Sequence, residues 1–338
     1  MGLRVYDQSQ QLKLVDESVN DERPASSTGV MGVDLLLRRG GILPGNFALL
    51  GGRTGTRKTT TMLNMAVTMA EAGTPVAIVG LDEAPWQYVV KMMSVRTGRS
   101  PDQLEEELRG ERGDQLRQSW REFARGKVHV LAGTRPHPEH LDATLRLSAL
   151  RAEEQPRVVF IDYLSLLTRA GEFGFNEQSR IPRLAEALQV WSNAAGVGVV
   201  ALHQLSRNDE FGGTNSRNAG HIPVTLAQLK YGGEEQADIV FSTYRPALNP
   251  VGNMTFEMAK QTLGDRFDED EYWELRALVK RYEGSTFLQL LKNRPSTRGT
   301  EERGVELLSV GDSILMMEKE AAPDQEEENE RVVRATQT

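Results

Sequence analysis

Residues 49–61, LLGGRTGTRKTTT, place a lysine and a threonine where a phosphate-binding loop needs them. The loop pattern is G-x-x-x-x-G-K-[ST], and Gly52, Lys58 and Thr59 occupy three of its fixed positions. In such a loop the backbone N–H groups surround the phosphates, the lysine reaches the β- and γ-phosphates, and the threonine hydroxyl holds Mg²⁺. The indicated chemistry is binding of ATP with Mg²⁺. The alternative is a turn rich in glycine and threonine that contains an incidental lysine.

The second glycine of the pattern is replaced by Arg57. Glycine is usual there because the backbone wraps closely around phosphate. We expect the arginine side chain to point away from the phosphates or to lie beside them as an added cation, while its N–H still donates to the nucleotide. If the arginine is merely tolerated in either arrangement, Arg57→Gly should hydrolyse ATP at an equal or higher rate. If it supplies a needed positive charge, Arg57→Gly should lose turnover and Arg57→Lys should lose less. Sterics and the cation already present at Lys58 favour the first outcome. The predicted nucleotide-binding residues are Gly52, Arg53, Thr54, Gly55, Thr56, Arg57, Lys58, Thr59 and Thr60.

Acidic residues follow two of the apolar segments. VVFID ends in Asp162, and VAIVGL is followed by Asp82 and Glu83. A carboxylate at the end of a buried strand can hold Mg²⁺ through water, so Thr59 and Asp162 are the predicted metal residues. Asp82 or Glu83 can orient and deprotonate the water that attacks the γ-phosphate. One of these two acids could instead cap the helix that begins near Pro85.

A further polar pair ends the segment VGVVALHQ. The amide of Gln204 can sense the γ-phosphate from a strand end and move the loop behind it. The neighbouring His203 is more simply interpreted as a packed histidine with a fixed tautomer than as a catalytic base.

The composition is that of a globular protein with 338 residues, 39% of them hydrophobic and 26% charged. The chain has no cysteine, which excludes disulfides, thiolate zinc sites and cysteine nucleophiles. No apolar run reaches the ~18–20 residues that a membrane span needs, so we expect no membrane partner and a cytoplasmic location, or the host cytoplasm if a phage encodes the chain. Half of the net charge of −8 lies in residues 318–338, which leaves room for a local basic groove elsewhere.

These candidate residues need a fold that brings strand ends together. Apolar segments of strand length lie at 47–52, 76–81, 128–132, 158–162, 197–202, 238–244 and 286–292, and helix-length stretches lie at 58–72, 86–96, 102–125 and 139–153. The alternation predicts an α/β fold, with a mostly parallel central sheet, helices on both faces, and ligands beyond the carboxyl ends of the strands. We expect a flexible arm at 1–26, one domain over 27–317 with a helical insertion at 265–285 before a last strand, and a disordered acidic tail at 318–338.

In order and spacing, these segments resemble a RecA-like P-loop ATPase core and, within that class, the motor domain of DnaB-family replicative helicases. The resemblance covers about residues 27–300 and rests on STGVMGVDLLLRRGGILPGNFALLGGRTGTRKTTTMLNMA, GLDEAPWQ, VVFIDYLSLL, ALHQLSR, GGEEQADIVFSTYR and LLKNRPSTRG. It implies a RecA-like fold and a ring, a hexamer in this family, that uses ATP and Mg²⁺ to move along single-stranded DNA in DNA replication. The compact chain is most similar to phage and plasmid motors, which implies a separate loader or primase as a partner.

The resemblance also implies a role for each matching residue. Asp82 takes the place of the family's catalytic glutamate, with Glu83 beside it, and Gln204 matches the sensor glutamine. Lys292 and Arg294 match a basic pair that is delivered to the ATP of a neighbouring subunit, Arg294 being the arginine finger. The alternative for this pair is a surface position after an edge strand.

DNA contacts are expected on loops that face the channel of the ring, at 169–178 and 206–233. The second loop contains Arg207, Arg217 and Lys230 among glycine and asparagine residues, which suits a segment that follows phosphates. A surface loop without a DNA role is the alternative.

Two other functions stay open at this point. One is a RecA- or KaiC-like ATPase that serves recombination or signalling without unwinding. The other is a nucleotide-binding scaffold with impaired hydrolysis, which Arg57 motivates. The segments ADIVFSTYR and KNRPSTRG favour the ring helicase over the RecA- or KaiC-like ATPase. A scaffold has no chemical need for all five residues of a complete site, which are Lys58, Thr59, Asp162, Gln204 and Arg294.

Overall fold

A mixed sheet forms the centre of the protein. The computed structural model describes residues 7–19, 24–131, 152–167, 177–205, 220–229 and 232–319. The strands in these ranges are β1 (Phe47–Gly52), β2 (Val76–Gly80), β3 (Val128–Leu131), β4 (Val158–Asp162), β5 (Gly198–Gln204), β6 (Ile239–Tyr244), β7 (Ser285–Asn293), β8 (Glu301–Ser309) and β9 (Met316–Glu318). Their order across the sheet is β3-β2-β4-β5-β1-β6-β7-β8-β9. The first six strands in that order are parallel, and β7, β8 and β9 are antiparallel to their neighbours.

Helices cover both faces of this sheet. In the described ranges they are α1 (Gln8–Val19), α2 (Met31–Asp34), α3 (Lys58–Glu71), α4 (Pro85–Thr97), α5 (Pro101–Arg109), α6 (Gly113–Ala124), α7 (Glu177–Ala195), α8 (Phe256–Leu263) and α9 (Glu269–Arg281). None of them is long and apolar enough to cross a membrane.

Strand β1 shows why its sequence is apolar throughout. Ala48 and Leu50 pack on one face of the sheet in a cluster that includes α3, and Phe47 and Leu49 pack on the other face against α7. All four side chains are fully buried. Successive side chains of a strand point to opposite faces, so a strand covered on both faces needs apolar residues at every position. The predicted α/β fold, with a mostly parallel sheet between two helical layers, is confirmed.

The polar insertion is helical, as predicted, and its sequence explains where it begins and ends. Asp268 caps α9 by accepting a hydrogen bond from the N–H of Glu271 at 2.9 Å. Acidic residues fill the first turn of α9, while Lys280 and Arg281 occupy the last turn, which opposes the helix dipole at both ends. A second helix, α8, lies directly before the predicted insertion.

Three features differ from the sequence prediction or go beyond it. The expected helix at 102–125 is two helices, because the N–H of Gly110 closes α5 on the carbonyl of Glu106 and the chain restarts at Gly113. The strand expected to be last is followed by β8 and β9, so that prediction was wrong. Within the predicted N-terminal arm, residues 8–19 form α1. The helix expected at 139–153 lies outside the described residues, apart from a short 3₁₀ turn at 152–154. The disordered tail was predicted from residue 318, but Glu318 belongs to β9, so that boundary was wrong; residues from 320 onward lie outside the described part.

Candidate nucleotide-binding site

The phosphate-binding loop joins the carboxyl end of β1 to the N-terminus of α3. It is tightly closed, because the Thr56 hydroxyl donates to the Arg53 carbonyl at 2.8 Å and lies 3.0 Å from the hydroxyl of Thr243 on β6. Gly52 and Gly55 have φ angles of +154° and +82°. A Cβ on Gly52 would lie 2.7 Å from the Thr56 hydroxyl, so this position has no room for a side chain. Glycine is therefore required here by both backbone and packing.

Lys58 begins α3 and folds back over the loop. Its ammonium donates to the Arg53 carbonyl at 2.9 Å. Burial lowers the pKa of Lys58 to about 8, although the charges of Asp162 and Asp82 raise it. A cation held at a helix N-terminus, above backbone that curls around it, is suited to receive an anion.

The two predicted metal residues lie next to each other. Thr59 Oγ1 donates to Asp162 Oδ2 at 3.0 Å, and Asp162 is only 2% exposed at the end of β4. Burial raises the pKa of Asp162 to about 6, while its hydrogen bonds from Tyr88 and Thr59 act in the opposite direction. Across the described ranges, no group of three or more His, Asp or Glu side chains could hold a metal alone. A hydroxyl beside one carboxylate fits Mg²⁺, which keeps water and phosphate oxygens in its coordination shell.

Tyr88 is a site residue that the sequence reasoning missed. Its hydroxyl donates to Asp162 Oδ2 at 3.0 Å, so this oxygen accepts from both Tyr88 and Thr59. Burial, reinforced by the Asp162 charge, raises the pKa of Tyr88. The ring fits against the end of β2 because Gly80 has no side chain there, and a Cβ on Gly80 would collide with the ring. The available signal was a tyrosine at a buried position of α4 behind a strand that ends in glycine.

The acidic pair after β2 is divided between two environments. Glu83 forms an ion pair with Lys91 on α4, whereas Asp82 is exposed and close enough for its charge to raise the pKa of Lys58. Neither acid caps α4. The N-cap residue is Ala84, whose N–H donates to the Gln87 side chain at 2.9 Å, so the capping alternative was wrong.

The end of β5 reaches the loop as expected. Gln204 Nε2 donates to Thr54 Oγ1 at 2.8 Å. His203 is packed inside, with a buried Nδ1 that has no hydrogen-bond partner within the described part of the chain. Burial, with help from the Lys58 charge, lowers the pKa of His203 to about 4, so this imidazole is neutral at pH 7. The geometry fits a packed histidine rather than a base.

Leu205 and Gly220, the residues on either side of 206–219, lie beside the loop. The N–H of Leu205 donates to the Gly52 carbonyl at 3.2 Å, and the Gly220 carbonyl accepts from the N–H of Arg245 at 2.8 Å. A Cβ on Gly220 would lie 3.1 Å from the side chain of Thr56. The predicted DNA residues Arg207, Arg217 and Lys230 themselves lie outside the described residues.

Arg57 keeps the backbone of the glycine that it replaces. Its φ of +64° lies in the left-handed region, where glycine is favoured. Its guanidinium points away from the loop cavity and donates to the Gly284 carbonyl at 2.9 Å and to the hydroxyl of Ser309. Burial lowers the pKa of Arg57. Of the two expected arrangements, the structure has the one in which the side chain is turned away.

Lys292 and Arg294 lie at the amino ends of the parallel strands, whereas the loop lies at their carboxyl ends. In the antiparallel pair of β6 and β7, Ile239 faces Asn293, so β7 ends where the parallel strands begin. Lys292 donates to the Glu234 carbonyl at 2.6 Å, and Arg294 donates to the Glu235 carbonyl at 2.9 Å. The Arg294 side chain is 50% exposed. This pair cannot reach the loop of its own chain, and it is open to a neighbouring molecule.

The remaining loop positions lie around the same cavity. Thr54 and Gly55 are exposed at the tip, while Arg53 is buried and Thr60 is partly buried in the first turn of α3. The structure therefore brings together the loop and Asp82, Asp162 and Gln204, and it leaves Lys292 and Arg294 apart from them.

Comparison with known proteins places this arrangement in a family. The profile described as "DnaB-like helicase C terminal domain" matches residues 27–273. The replicative DNA helicase DnaB of Helicobacter pylori strain J99 is 24% identical over 210 residues, which is 61% of this chain and 41% of that protein. The replicative DNA helicase DnaB of Geobacillus stearothermophilus is 24% identical over 201 residues, 58% of this chain and 42% of that protein. The chain thus spans less than half the length of these relatives.

Two solved structures share the fold. "ATPase Domain of G40P" superposes with a TM-score of 0.66 at 18% identity and covers 94% of this chain and 100% of its own. "The Structure Of A DnaB-Like Replicative Helicase And Its Interactions With Primase" gives a TM-score of 0.65 at 18% identity over 92% of this chain and 68% of that one. The predicted resemblance is confirmed by the family match, which covers most of the sequence. The chain belongs to the family of DnaB-like helicase C-terminal domains.

Proposed function

We propose that this chain is the ATP-hydrolysing motor of a ring-shaped DNA helicase that moves along single-stranded DNA during replication. The observation that carries the proposal is the separation of the phosphate-binding loop from Arg294 by the length of the sheet. Within the described residues, Arg294 lies too far from the loop of its own chain to contact a nucleotide bound there, so it can act only on a site of another copy. A ring of copies, a hexamer as the family resemblance implies, completes every site at an interface between subunits.

Each residue of the site has a role in this proposal. Lys58 and the loop N–H groups bind the β- and γ-phosphates, and Thr59 and Asp162 hold Mg²⁺. Bound Mg²⁺ neutralises charge on the phosphate oxygens. Asp82 orients a water molecule and accepts its proton, and Gln204 contacts the phosphate end through the loop. Arg294 of the next subunit, assisted by Lys292, stabilises the charge that develops on the transferred group.

The macromolecular partners follow from the same proposal. Single-stranded DNA would contact Arg207, Arg217 and Lys230. The described residues that flank these positions, Leu205, Gly220 and Leu229, lie beside the nucleotide loop. One structural neighbour is described as a DnaB-like replicative helicase and its interactions with primase. A primase or a loader is therefore a candidate partner of this chain. The proposed location is the cytoplasm, where such DNA is replicated.

The test is ATP hydrolysis with and without single-stranded DNA, paired with a sizing measurement. A ring oligomer whose hydrolysis rises strongly with DNA, and which separates a forked duplex, supports the proposal. Hydrolysis that is indifferent to DNA would favour a signalling ATPase, and DNA-dependent hydrolysis without strand separation would favour a recombination ATPase. Nucleotide binding without turnover would favour a scaffold. Lys58→Ala serves as the inactive control in each assay.

A further inference from the structure

Two arginines connect the phosphate-binding loop to the start of β7. Arg57 donates from one nitrogen to the Gly284 carbonyl at 2.9 Å, to Thr286 Oγ1 at 3.4 Å and to Ser309 Oγ at the end of β8. Arg245 follows β6 and donates to the Gly55 carbonyl in the loop at 3.2 Å. It also donates to the carbonyls of residues 283 and 285, at 3.1 and 3.4 Å. We call residues 283–286 the β7 entry.

Strand β7 runs from these contacts to the opposite end of the sheet, where the parallel strands begin. Its nine residues span about 26 Å at roughly 3.3 Å per residue. The β7 entry touches the loop, and the far end carries Lys292 and Arg294. One strand therefore runs from the nucleotide site of a subunit to the two cations that it offers to the next subunit.

The pairing of β7 is irregular in the half that leads to the cations. The register shifts near Leu288 and Leu290 against β8, and again between Val240 and Phe241 against β6. Such irregularities re-aim side chains next to functional sites and interrupt the regular ladder of hydrogen bonds. The position of Lys292 and Arg294 can therefore respond to small displacements of the strand.

We propose that Arg57 is a positioning residue that couples nucleotide binding in one subunit to the placement of Arg294 at the neighbouring site. Its backbone belongs to the loop around the nucleotide, and its side chain holds the β7 entry. Glycine, which the loop pattern specifies at this position, has no side chain with which to make that link. The proposal rests on the proposed function, because it needs adjacent copies of the chain.

The experiment measures cooperativity between sites in the assembled oligomer. A fluorescent, non-hydrolysable ATP analogue is titrated into the wild type and into Arg57→Gly, which keeps the left-handed backbone but removes the guanidinium. Coupling between sites is typically 5–150-fold in affinity. We expect a Hill coefficient above 1 for the wild type and a fall to about 1 in Arg57→Gly, with partial recovery in Arg57→Lys.

A second variant changes a hydrogen-bond acceptor of Arg57 rather than the loop. Ser309→Ala removes one acceptor of the Arg57 side chain and leaves the sequence of the phosphate-binding loop unchanged, so it should lower the Hill coefficient in the same direction. The matched control is Ser313→Ala in the same hairpin, whose hydroxyl donates to the Val310 carbonyl and contacts neither arginine. The control should bind like the wild type.

Two results would overturn the coupling. One is a wild-type Hill coefficient of 1 in an intact oligomer, and the other is a coefficient that Arg57→Gly and Ser309→Ala both leave unchanged. Either result can occur in an oligomer that hydrolyses ATP with DNA stimulation, so failure of the coupling is distinguishable from failure of the motor function. A chain that neither assembles nor hydrolyses ATP would contradict both.

Discussion

Lys58 and Arg294 lie at opposite ends of the strands of one sheet. Lys58 lies at the carboxyl ends of the parallel strands, and Arg294 lies at their amino ends. The cause is the reversal of direction at β7, which starts beside the loop and runs away from it. Under the proposed function, each chain gives its arginine to one partner and receives an arginine from another.

Mixing two inactive variants tests this division. Lys58→Ala and Arg294→Ala should each lose hydrolysis, the latter by ~10³–10⁵ because an arginine finger stabilises transition-state charge. Co-assembled at equal amounts, they should regain up to about a quarter of the wild-type rate, since a random interface pairs an intact loop with an intact finger in that proportion. A phosphate-release assay on co-expressed subunits measures the recovery.

The control for that experiment combines both changes in one chain. Mixtures of the double variant with either single variant contain no intact interface and should stay inactive. If the two single variants also show no recovery at any ratio, Arg294 does not act across the interface.

Substitutions of the acidic pair should separate the roles of Asp82 and Glu83. Asp82→Asn is expected to lower hydrolysis by ~10²–10⁴, the range for a general base, and to retain nucleotide binding. Glu83→Gln breaks only a partly exposed ion pair with Lys91, which is worth little, so its rate should fall less than about tenfold. Single-turnover hydrolysis compares the two variants, and the reverse ranking would move the catalytic role to Glu83.

Tyr88→Phe tests whether the hydrogen bond from Tyr88 to Asp162 contributes to Mg²⁺ binding. The change removes one of two hydrogen bonds to Asp162 Oδ2 and keeps the ring against Gly80. Partners of metal-binding groups are worth roughly 10–100-fold in metal affinity, so the Mg²⁺ concentration for half-maximal hydrolysis should rise about tenfold. Tyr272→Phe is the matched control, because its hydroxyl donates to the Met254 carbonyl rather than to Asp162. Equal Mg²⁺ dependence in both variants would remove Tyr88 from the site.

The buried His203 should make the fold sensitive to acid. The unfolded chain binds a proton at this histidine near pH 6.5, whereas burial holds the folded pKa at about 4. Acidification therefore favours the unfolded state, and His203 alone should lower the free energy of unfolding by about 2 kcal/mol between pH 7 and pH 5.

Urea unfolding of the wild type and His203→Gln at the two pH values measures that contribution. Asp162, whose pKa burial raises, acts in the opposite direction but is present in both proteins, so the difference between them reports His203. Parallel losses of stability in the two proteins would show that His203 is not buried in its neutral form.

Much of the site was predictable because its parts are local in sequence. The apolar runs that became β1 and β4 end in Gly52 and Asp162, where the prediction placed them. Parallel strands share one carboxyl edge, so the loop, Asp82, Asp162 and Gln204 had to meet there once the α/β pattern was recognised.

What the sequence did not reveal depends on contacts between distant residues. The acceptors of Arg57 lie 227–252 residues further along the chain, on elements that include a strand not predicted at all. That strand, β8, has the sequence EERGVELLS, whose charged and partly exposed side chains hide its strand character. Tyr88 escaped notice because helical periodicity identifies a buried position but not the carboxylate that its hydroxyl meets.

The anchoring of Leu205 and Gly220 has a mechanical consequence. The N–H of Leu205 donates to the Gly52 carbonyl, and Gly220 packs beside the side chain of Thr56, so the residues that flank 206–219 both contact the nucleotide loop. If the motor grips DNA through residues 206–219, a load on the DNA strand reaches the nucleotide loop through the contacts of Leu205 and Gly220. Tension then opposes closure of the loop, and a stalled motor should hold ATP less tightly than one that runs free.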